Sequence, residues 1–339
     1  MFEDFYGNRA AADALEQMLA SNRIPQTILL AGPEGVGKAT LVRRFAARLL
    51  GAPDLIEHDD QSLAANLDII AEREKWPADK RNEDPLLFAS HSDFVTFVPD
   101  GPLRQLSIPQ MRLLKERGQF KPLKGSRRVF LIDQIDRAGE QAANSLLKTL
   151  EEPPDHLILF LTAANPYDLL PTIRSRSVWI HLAPLSDAEM RQFAAAKNLQ
   201  DAERRIALAQ GSPGLAVSID LELYDRRASA MLSLLQVAAG IEPFAAWVKY
   251  AEAGSSRSEK LEPLLRTLYS LLEDVLLLQN GAAWIRNTTL QPQLGALADR
   301  VSPRWLRRAV ARVDELAAMV RRNIQKNIAL DALVLELRP

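Results

Sequence analysis

The fold of this chain is decided by residues 27–38, which read TILLAGPEGVGK. The first residues are apolar or β-branched and favour a strand, the glycine-rich part favours a tight loop, and a helical pattern begins at the lysine. A glycine-rich loop with this spacing, placed between a strand and a helix, is typical of a P-loop that binds phosphate. The stretch therefore predicts an α/β fold whose first strand runs into a phosphate-binding loop.

Four further apolar runs extend this prediction, at residues 94–97, 129–132, 157–162 and 178–180. Continuous apolar runs of this length are typical of strands that are buried on both faces, as in a parallel sheet. Helical patterns alternate with the strands, at residues 11–19, 39–50, 108–118 and 140–150. The alternation predicts a five-stranded parallel sheet with flanking helices.

The pattern changes after Pro184, where only helical periodicity is found. Ser186 and Glu189 have the spacing of a capping box at the start of the first of three short helices. We therefore expect three domains, which are an α/β P-loop domain at residues 1–183, a small helical lid at 184–222 and an all-α C-terminal domain at 223–339. Within the first domain, residues 54–85 are polar and weakly periodic, which favours an insertion or a mobile excursion.

The composition is that of an ordinary globular protein, with 47% apolar and 25% charged residues in a chain of 339. The net charge of −1 gives no global positive field of the kind that marks a nucleic-acid-binding protein. A local basic cluster at Lys124, Arg127 and Arg128 has two interpretations, a DNA contact or, as is more usual for a run of charges, a solvated loop.

Cysteine is absent, which excludes disulfides and cysteine zinc sites. The four histidines are scattered without metal-ligand spacing, so no zinc site is expected. The first residues lack the basic and apolar regions of a signal peptide, and no apolar run is long enough to span a bilayer. We therefore expect a cytoplasmic protein that has no membrane partner.

The residues of the glycine-rich loop indicate how phosphate would be bound. Gly32, Gly35 and Gly37 allow successive backbone N–H groups to turn towards a phosphate, and the N-terminus of the following helix adds partial positive charge. Lys38 is expected to reach the β- and γ-phosphates of a nucleotide.

The position after this lysine departs from the usual P-loop. A serine or threonine hydroxyl normally binds Mg²⁺ there, but the residue is Ala39. Thr40 follows, but one residue is about 100° around a helix, so its hydroxyl is expected to point elsewhere. With Gly32, Gly35, Gly37, Lys38 and Asp133, these two residues form the predicted nucleotide site. We expect ATP or ADP to bind weakly, with Mg²⁺ only in company with nucleotide.

A second departure follows the apolar strand at residues 129–132. The strand ends in Asp133, which is expected to hold Mg²⁺ directly or through water. The next residue is Gln134, an amide that cannot act as a base towards the attacking water. Asp136 is interpreted as the N-cap of the next helix. Without the metal-binding hydroxyl and an acid to activate water, the site is predicted to be a weak or inactive ATPase.

Two stretches further along the chain carry a family resemblance. Residues 141–154 read QAANSLLKTLEEPP and resemble the helix after the acidic strand in the AAA+ subunits of clamp loaders. Residues 173–177 read IRSRS and resemble the Ser-Arg-Cys motif of that family, with Ser177 in place of cysteine. The resemblance implies an AAA+ domain in which Arg176 projects into the ATP site of a neighbouring subunit. A guanidinium suits that role because it is always charged and can bind two phosphate oxygens at once.

Further similarity is found at residues 91–93, 99, 108–112 and 323–330, the last of which resembles a family helix that packs in a collar. The hydrolysing gamma and tau subunits have a nucleotide-sensing arginine where this chain has Gly214. Together with Ala39 and Gln134, this loss resembles the delta-prime type of DNA polymerase III subunit. The family's four-cysteine zinc module is missing from the polar segment. Thr162 and Asn165 both remain candidates for the polar sensor at the end of the fourth strand.

The resemblance implies a delta-prime-like subunit of the clamp loader of the DNA polymerase III holoenzyme, which is not the polymerising subunit. The implied partners are the gamma/tau and delta subunits and, through the assembly, the sliding clamp and primer-template DNA. A catalytically active AAA+ ATPase, either a gamma/tau-like motor or a related remodeller, is the alternative. It requires Thr40 or Asp136 to replace the missing groups.

Overall fold

The computed structural model of this chain describes residue 2 and residues 4–248, 260–320 and 325–338. The chain forms two compact units. The first comprises Met1–Ala202 with Ala209–Val217, and the second comprises Glu203–Leu208 with Ser218–Pro339. The lid segment is thus shared between the two units, and the three-domain division from the sequence stays a prediction.

The first unit contains a six-stranded sheet and the helices that cover it. The strands are β1 Thr27–Ala31, β2 Leu87–His91, β3 Phe94–Phe97, β4 Arg128–Ile132, β5 Leu157–Ala163 and β6 Val178–His181. The main helices are α1 Arg9–Ser21, α2 Lys38–Leu50, α3 Pro53–Glu57, α4 Ala64–Arg73, α5 Ala78–Glu83, α6 Ile108–Gln119, α7 Glu140–Glu151, α8 Pro171–Ser175, α9 Asp187–Ala196, α10 Ala202–Ala209 and α11 Pro213–Ser218. Of α10, only the two end residues belong to the first unit, and Glu203–Leu208 belong to the second. Every strand and helix predicted from the first half of the sequence is present.

The strand order is β2-β3-β4-β5-β1-β6. Five neighbouring strands, in the order β3-β4-β5-β1-β6, pair in parallel. This confirms the predicted parallel α/β sheet. The sequence did not predict β2, which adds an antiparallel edge to β3. Its residues read LFASH, and a strand with two large apolar side chains among five residues gives only a weak signal.

Side chains from β5 illustrate why the central strands are apolar throughout. Leu159 and Leu161 lie in the core that α6 and α7 cover. Between them, Phe160 points to the opposite face and packs edge-on against Phe45 of α2, with ring centroids 5.0 Å apart. Because helices cover both faces, alternate side chains are buried in either direction.

Residues 54–85 correct an expectation from the sequence. They are not a mobile excursion, because α3, α4 and α5 occupy most of this segment. Buried Arg73 holds the segment to the sheet, with its guanidinium 3.0 Å from Asp84 and 2.8 Å from Asp100. The helices were missed because charge pairs anchor them, and the apolar periodicity that identifies a helix is weak here.

The second unit is helical around a leucine-rich core. Its main helices are α12 Leu221–Ala238, α13 Leu261–Gln279, α14 Gln291–Arg300, α15 Pro303–Met319 and α16 Lys326–Leu337. Of the stretch at 323–330 that resembles a collar helix, the first two residues lie outside the described part, and α16 begins at Lys326. Among the described residues, no helix combines the length and apolarity needed to cross a membrane.

Candidate functional site

The glycine-rich loop lies between β1 and α2, as the sequence predicts. Gly35 and Gly37 have φ angles of 75° and 104°, a region that L-residues with side chains rarely adopt. A side chain at Gly37 would also approach the ring of Phe5 to 2.9 Å. These positions therefore require glycine. Phosphate binding by this loop stays a prediction.

Lys38 is directed towards the loop that it follows. Its Nζ donates to the carbonyl oxygens of Gly32 at 2.6 Å and of Pro33 at 2.7 Å. Only 8% of the residue is exposed. Burial lowers the pKa of Lys38, while the nearby carboxylates, Asp133 first among them, act in the opposite direction. Two of the three ammonium donors are thus used inside the loop.

Helix α11 touches the same loop from the outside. The backbone N–H of Gly214 donates to the carbonyl oxygen of Gly35 at 2.8 Å. A Cβ atom added at Gly214 would come within 2.9 Å of that oxygen. The sequence explains Gly214 as the loss of a nucleotide-sensing arginine. The structure adds that a larger residue at this position would push α11 away from the loop.

The hydroxyl group nearest to the missing metal ligand has another partner. Thr40 Oγ1 accepts from the Arg43 guanidinium at 3.4 Å. Arg43 is itself buried on α2, with Nε 3.1 Å from Glu57 and Nη2 2.5 Å from Asp60. Both carboxylates belong to the polar segment that contains α3. The hydroxyl of Thr40 is therefore part of a side-chain network on the surface of α2 and not of the phosphate loop.

Asp133 lies at the end of β4 and is 7% exposed. Its Oδ1 accepts from the Thr162 hydroxyl at 2.5 Å, and its Oδ2 accepts from the Gln61 amide at 2.7 Å. Thr162 is fully buried and also accepts from the backbone N–H of Gln134 at 2.8 Å. Of the two sensor candidates, only Thr162 contacts Asp133. Asn165 is exposed and caps the short 3₁₀ turn that follows β5.

Gln61 is the site residue that the sequence did not predict. It lies 72 residues before Asp133, in the polar segment that was interpreted as an insertion or a mobile excursion. A glutamine in such a segment carries no motif and no spacing to a partner. Its role depends on how the segment folds back across the sheet, which the local sequence does not encode.

Asp136 was interpreted as the N-cap of α7, and this prediction is wrong. A 3₁₀ turn at Ile135–Arg137 contains Asp136, and the N-cap of α7 is Gly139. Asp136 Oδ2 instead accepts from the backbone N–H of Ala164 at 3.1 Å. The extra turn shifts the start of the helix, so the carboxylate reaches across to the end of β5.

The residues at this site do not fit Mg²⁺ as a P-loop ATPase would bind it. Ala39 has no hydroxyl, and both oxygens of Asp133 already accept hydrogen bonds from protein side chains. The side chain of Gln134 is neutral and is a poor substitute for a water-activating acid. The described residues therefore form a folded glycine-rich loop in which the groups predicted to bind metal are either missing or engaged.

The arginine motif lies on a turn between α8 and β6. Arg176 follows α8 directly, and its side chain is 35% exposed. The guanidinium donates to the carbonyl oxygen of Thr172 at 3.1 Å and pairs with Glu151 at 2.9 Å. Ser175 beside it is exposed. The motif is therefore on the surface of the first unit.

Two exposed aromatic residues flank the arginine motif. Tyr167 and Trp179 are 74% and 41% exposed, and their rings make an edge-on contact at 6.4 Å. The Arg174 guanidinium lies 5.7 Å from the centre of the Tyr167 ring. The backbone carbonyl oxygen of Arg174 accepts from Trp179 Nε1 at 3.0 Å. Val178, next to the tryptophan, is 45% exposed. We call Tyr167, Val178 and Trp179 the aromatic patch.

The basic cluster predicted at residues 124–128 is not a single exposed surface. Arg128 is 6% exposed, and its guanidinium donates to the carbonyl oxygens of Arg117 at 2.5 Å and Ser92 at 3.1 Å. Arg127 donates to the carbonyl oxygen of Asp155 at 2.5 Å. Lys124 is exposed. Two of the three cations thus donate to carbonyl oxygens of their own unit, and the choice between a DNA contact and a solvated loop stays a prediction.

Comparison with known proteins adds a family to this geometry. The family described as DNA polymerase III, delta subunit, matches residues 7–186. The chain is 29% identical to the delta' subunit of DNA polymerase III from Escherichia coli over 217 residues, or 63% of this chain and 64% of that protein. It is 31% identical to the delta' subunit from Pseudomonas aeruginosa over 191 residues, or 55% of this chain and 52% of that protein.

A tau/gamma subunit of DNA polymerase III from Haemophilus influenzae is 27% identical over 194 residues, or 57% of this chain and 25% of that protein. The chain thus spans between a quarter and less than two thirds of these relatives. A solved structure of a gamma-subunit-related protein from Thermotoga maritima is 16% identical, with a TM-score of 0.49 over 96% of this chain and 98% of that chain. Because the family match covers more than half of its residues, this chain belongs to the DNA polymerase III delta-subunit family.

Proposed function

We propose that this chain is a delta-prime-like subunit that completes the ATP site of a neighbouring clamp-loader subunit and does not hydrolyse ATP itself. One contrast carries the proposal. Arg176 is exposed on a surface turn, whereas Lys38 and Asp133 are buried and bonded to groups of their own unit. A group that acts on a neighbour must be accessible, and a group that acts on its own nucleotide must have free bonding capacity.

The present partner of Arg176 is easily replaced. The side chain of Glu151 is 47% exposed, and a solvent-exposed ion pair contributes about 0–1 kcal/mol. A triphosphate carries more negative charge than one carboxylate and can accept two parallel hydrogen bonds from a guanidinium. Arg176 therefore loses little when it leaves Glu151, and it gains charge-assisted bonds at a neighbour's nucleotide.

The surroundings of Arg176 suit a protein partner. The aromatic patch exposes Tyr167, Val178 and Trp179 on the same part of the surface. Tyrosine, tryptophan and arginine are the residue types that contribute most at protein interfaces. The two aromatic residues bury much area with few rotatable bonds. We therefore assign the patch and the arginine turn to one interface with an adjacent gamma/tau subunit.

The phosphate loop would have a minor part in this function. Weak binding of ATP or ADP follows from a lysine that must first give up two carbonyl partners. Mg²⁺ would enter only with nucleotide, because Ala39 offers no ligand and Asp133 is engaged. Through the gamma/tau and delta subunits, the assembly would act on the sliding clamp and on primer-template DNA. The helices of the second unit would pack in its collar.

Arg176→Ala in a loader reconstituted with its partner subunits tests this proposal. Steady-state ATPase and clamp loading are expected to fall by at least about tenfold, since arginine fingers contribute about 10³–10⁵ at the site they serve. Assembly is expected to survive, because the lost side chain is exposed. Arg9→Ala is the matched control, since Arg9 is also exposed and pairs with a carboxylate, Asp13. An Arg176→Ala loader with the ATPase of the control would contradict the proposal.

A further inference from the structure

Asp133 receives its two hydrogen bonds from very different parts of the chain. Thr162 is on β5, the strand beside β4, so its contact follows directly from the sheet. Gln61 comes from the loop between α3 and α4, in the polar segment that precedes β2. The amide is 2.7 Å from Oδ2, which is a short distance for an N–H···O bond.

The loop that carries Gln61 is fastened on both sides. Asp60, the residue before it, pairs with buried Arg43 at 2.5 Å and accepts from the backbone N–H of Ser62 at 2.9 Å. The Asn66 amide donates to the carbonyl oxygens of His58 at 2.7 Å and Asp60 at 2.8 Å. The position of Gln61 is therefore set by its neighbours, and its bond to Asp133 costs little additional ordering of the chain.

A primary amide and a divalent cation satisfy a carboxylate in different ways. The amide offers a hydrogen bond and no charge, whereas a cation offers charge and no hydrogen bond. A cation would need the same oxygen and would leave the amide of Gln61 without its acceptor. The amide is partly buried, so the loss of its carboxylate acceptor has a cost. The two ligands thus compete for Asp133.

We propose that Gln61 is a resident substitute for the metal ion at Asp133, so that the segment with α3, α4 and α5 seals the cation position of the phosphate loop. The inference rests on the proposed function, because it explains how the loop remains folded while idle. Ala39 removes one metal ligand, and Gln61 occupies the other.

A double-mutant cycle tests the contact itself. Gln61→Ala is expected to lower the melting temperature by about 3–8 °C, because a hydrogen bond to a buried carboxylate is lost. In an Asp133→Ala background the same change is expected to cost about 1 °C or less, because the acceptor is already gone. Gln17→Ala, which removes an exposed glutamine of α1, is the control and is expected to shift the melting temperature by less than about 1 °C. Equal losses in both backgrounds would overturn the proposal.

A second measurement tests the competition with a cation. The probe is a fluorescent ATP analogue, titrated against the full chain with Mg²⁺ and again with a chelator. Ala39→Thr restores the hydroxyl and is expected to change the ratio of the two affinities by less than about threefold, because Asp133 remains engaged. Ala39→Thr with Gln61→Ala is expected to raise the ratio at least about tenfold.

The same ratio for Ala39→Thr and for the double variant would overturn the role of Gln61, and so would a double variant that shows no response to Mg²⁺. Neither result depends on Arg176, so the ATPase of the reconstituted loader separates the two proposals. If Arg176→Ala leaves that ATPase unchanged, the proposed function fails. If the coupling between Gln61 and Asp133 is absent, this inference fails alone.

Discussion

The phosphate loop and the arginine turn lie in the same unit but differ in the burial of their charged groups. In the loop, Lys38 binds carbonyl oxygens of its own backbone, and Asp133 accepts bonds from two side chains. In the turn, Arg176 is exposed, and its carboxylate partner is exposed as well. The difference teaches that one unit can enclose the charged groups of its glycine-rich loop and still leave an arginine accessible on its surface.

The largest effect on stability is expected where the buried arginine of α2, Arg43, is removed from its two ion pairs. Arg43→Met removes a guanidinium that is 3% exposed and leaves Glu57 and Asp60 without a cation. We expect the free energy of unfolding to fall by about 2–3 kcal/mol, below the full cost of breaking a buried pair, because both carboxylates are partly exposed. Urea unfolding checks this, with Arg9→Met as the matched change at an exposed pair.

The comparison predicts that Arg9→Met costs less than about 0.5 kcal/mol, because Arg9 and Asp13 are 70% and 55% exposed. Equal costs for the two arginines would mean that the buried ion pairs of Arg43 stabilise the fold no more than the exposed pair of Arg9. In that case burial would not explain the difference between the loop region and the arginine turn.

An intermediate effect is expected at the aromatic patch. Trp179→Ser removes an exposed tryptophan beside the arginine turn and should weaken binding to the partner subunits by about tenfold, or roughly 1.4 kcal/mol. Leu67→Ser is the control, since Leu67 is 52% exposed but lies on α4 beside β2, at the opposite edge of the sheet from β6. Binding of the full chain to immobilised partner subunits measures both. Equal weakening by the two variants would separate the patch from the proposed interface.

The smallest effect is expected at Glu151. Glu151→Gln removes the charge that pairs with Arg176 at 2.9 Å, and both side chains are exposed. Stability should change by less than about 0.5 kcal/mol, and the ATPase of the reconstituted loader should stay within about twofold. A large loss of ATPase would show that Arg176 needs Glu151 to be positioned, so the turn would be less independent than proposed.

The sequence predicts the central sheet well because its strands are governed by burial. The apolar runs of β1, β4 and β5 have helices on both faces, and their pattern is therefore unambiguous. The edge strand β2 was not predicted, because Ala89 and Ser90 interrupt its apolar pattern. Prediction from periodicity succeeds at the centre of the sheet and weakens at its edge, where fewer side chains are buried.

The site was predictable only in part. The spacing of the loop identified Lys38, and the apolar strand identified Asp133, because each motif is local in the chain. The partners of these residues are not local, since Gln61 is 72 residues from Asp133. The position of Asp136 was also misjudged, because a 3₁₀ turn precedes α7. Local sequence reveals which groups carry charge, and tertiary packing decides which partners they have.

One comparison tests the central claim most directly, namely Lys38→Ala against Arg176→Ala in the same reconstituted clamp loader. The steady-state ATPase is expected to fall by at least about tenfold with Arg176→Ala and to stay within about twofold with Lys38→Ala. The isolated chain should turn over ATP no faster than its Lys38→Ala variant. A loader that loses its ATPase with Lys38→Ala but keeps it with Arg176→Ala would contradict the account and identify the chain as an active ATPase.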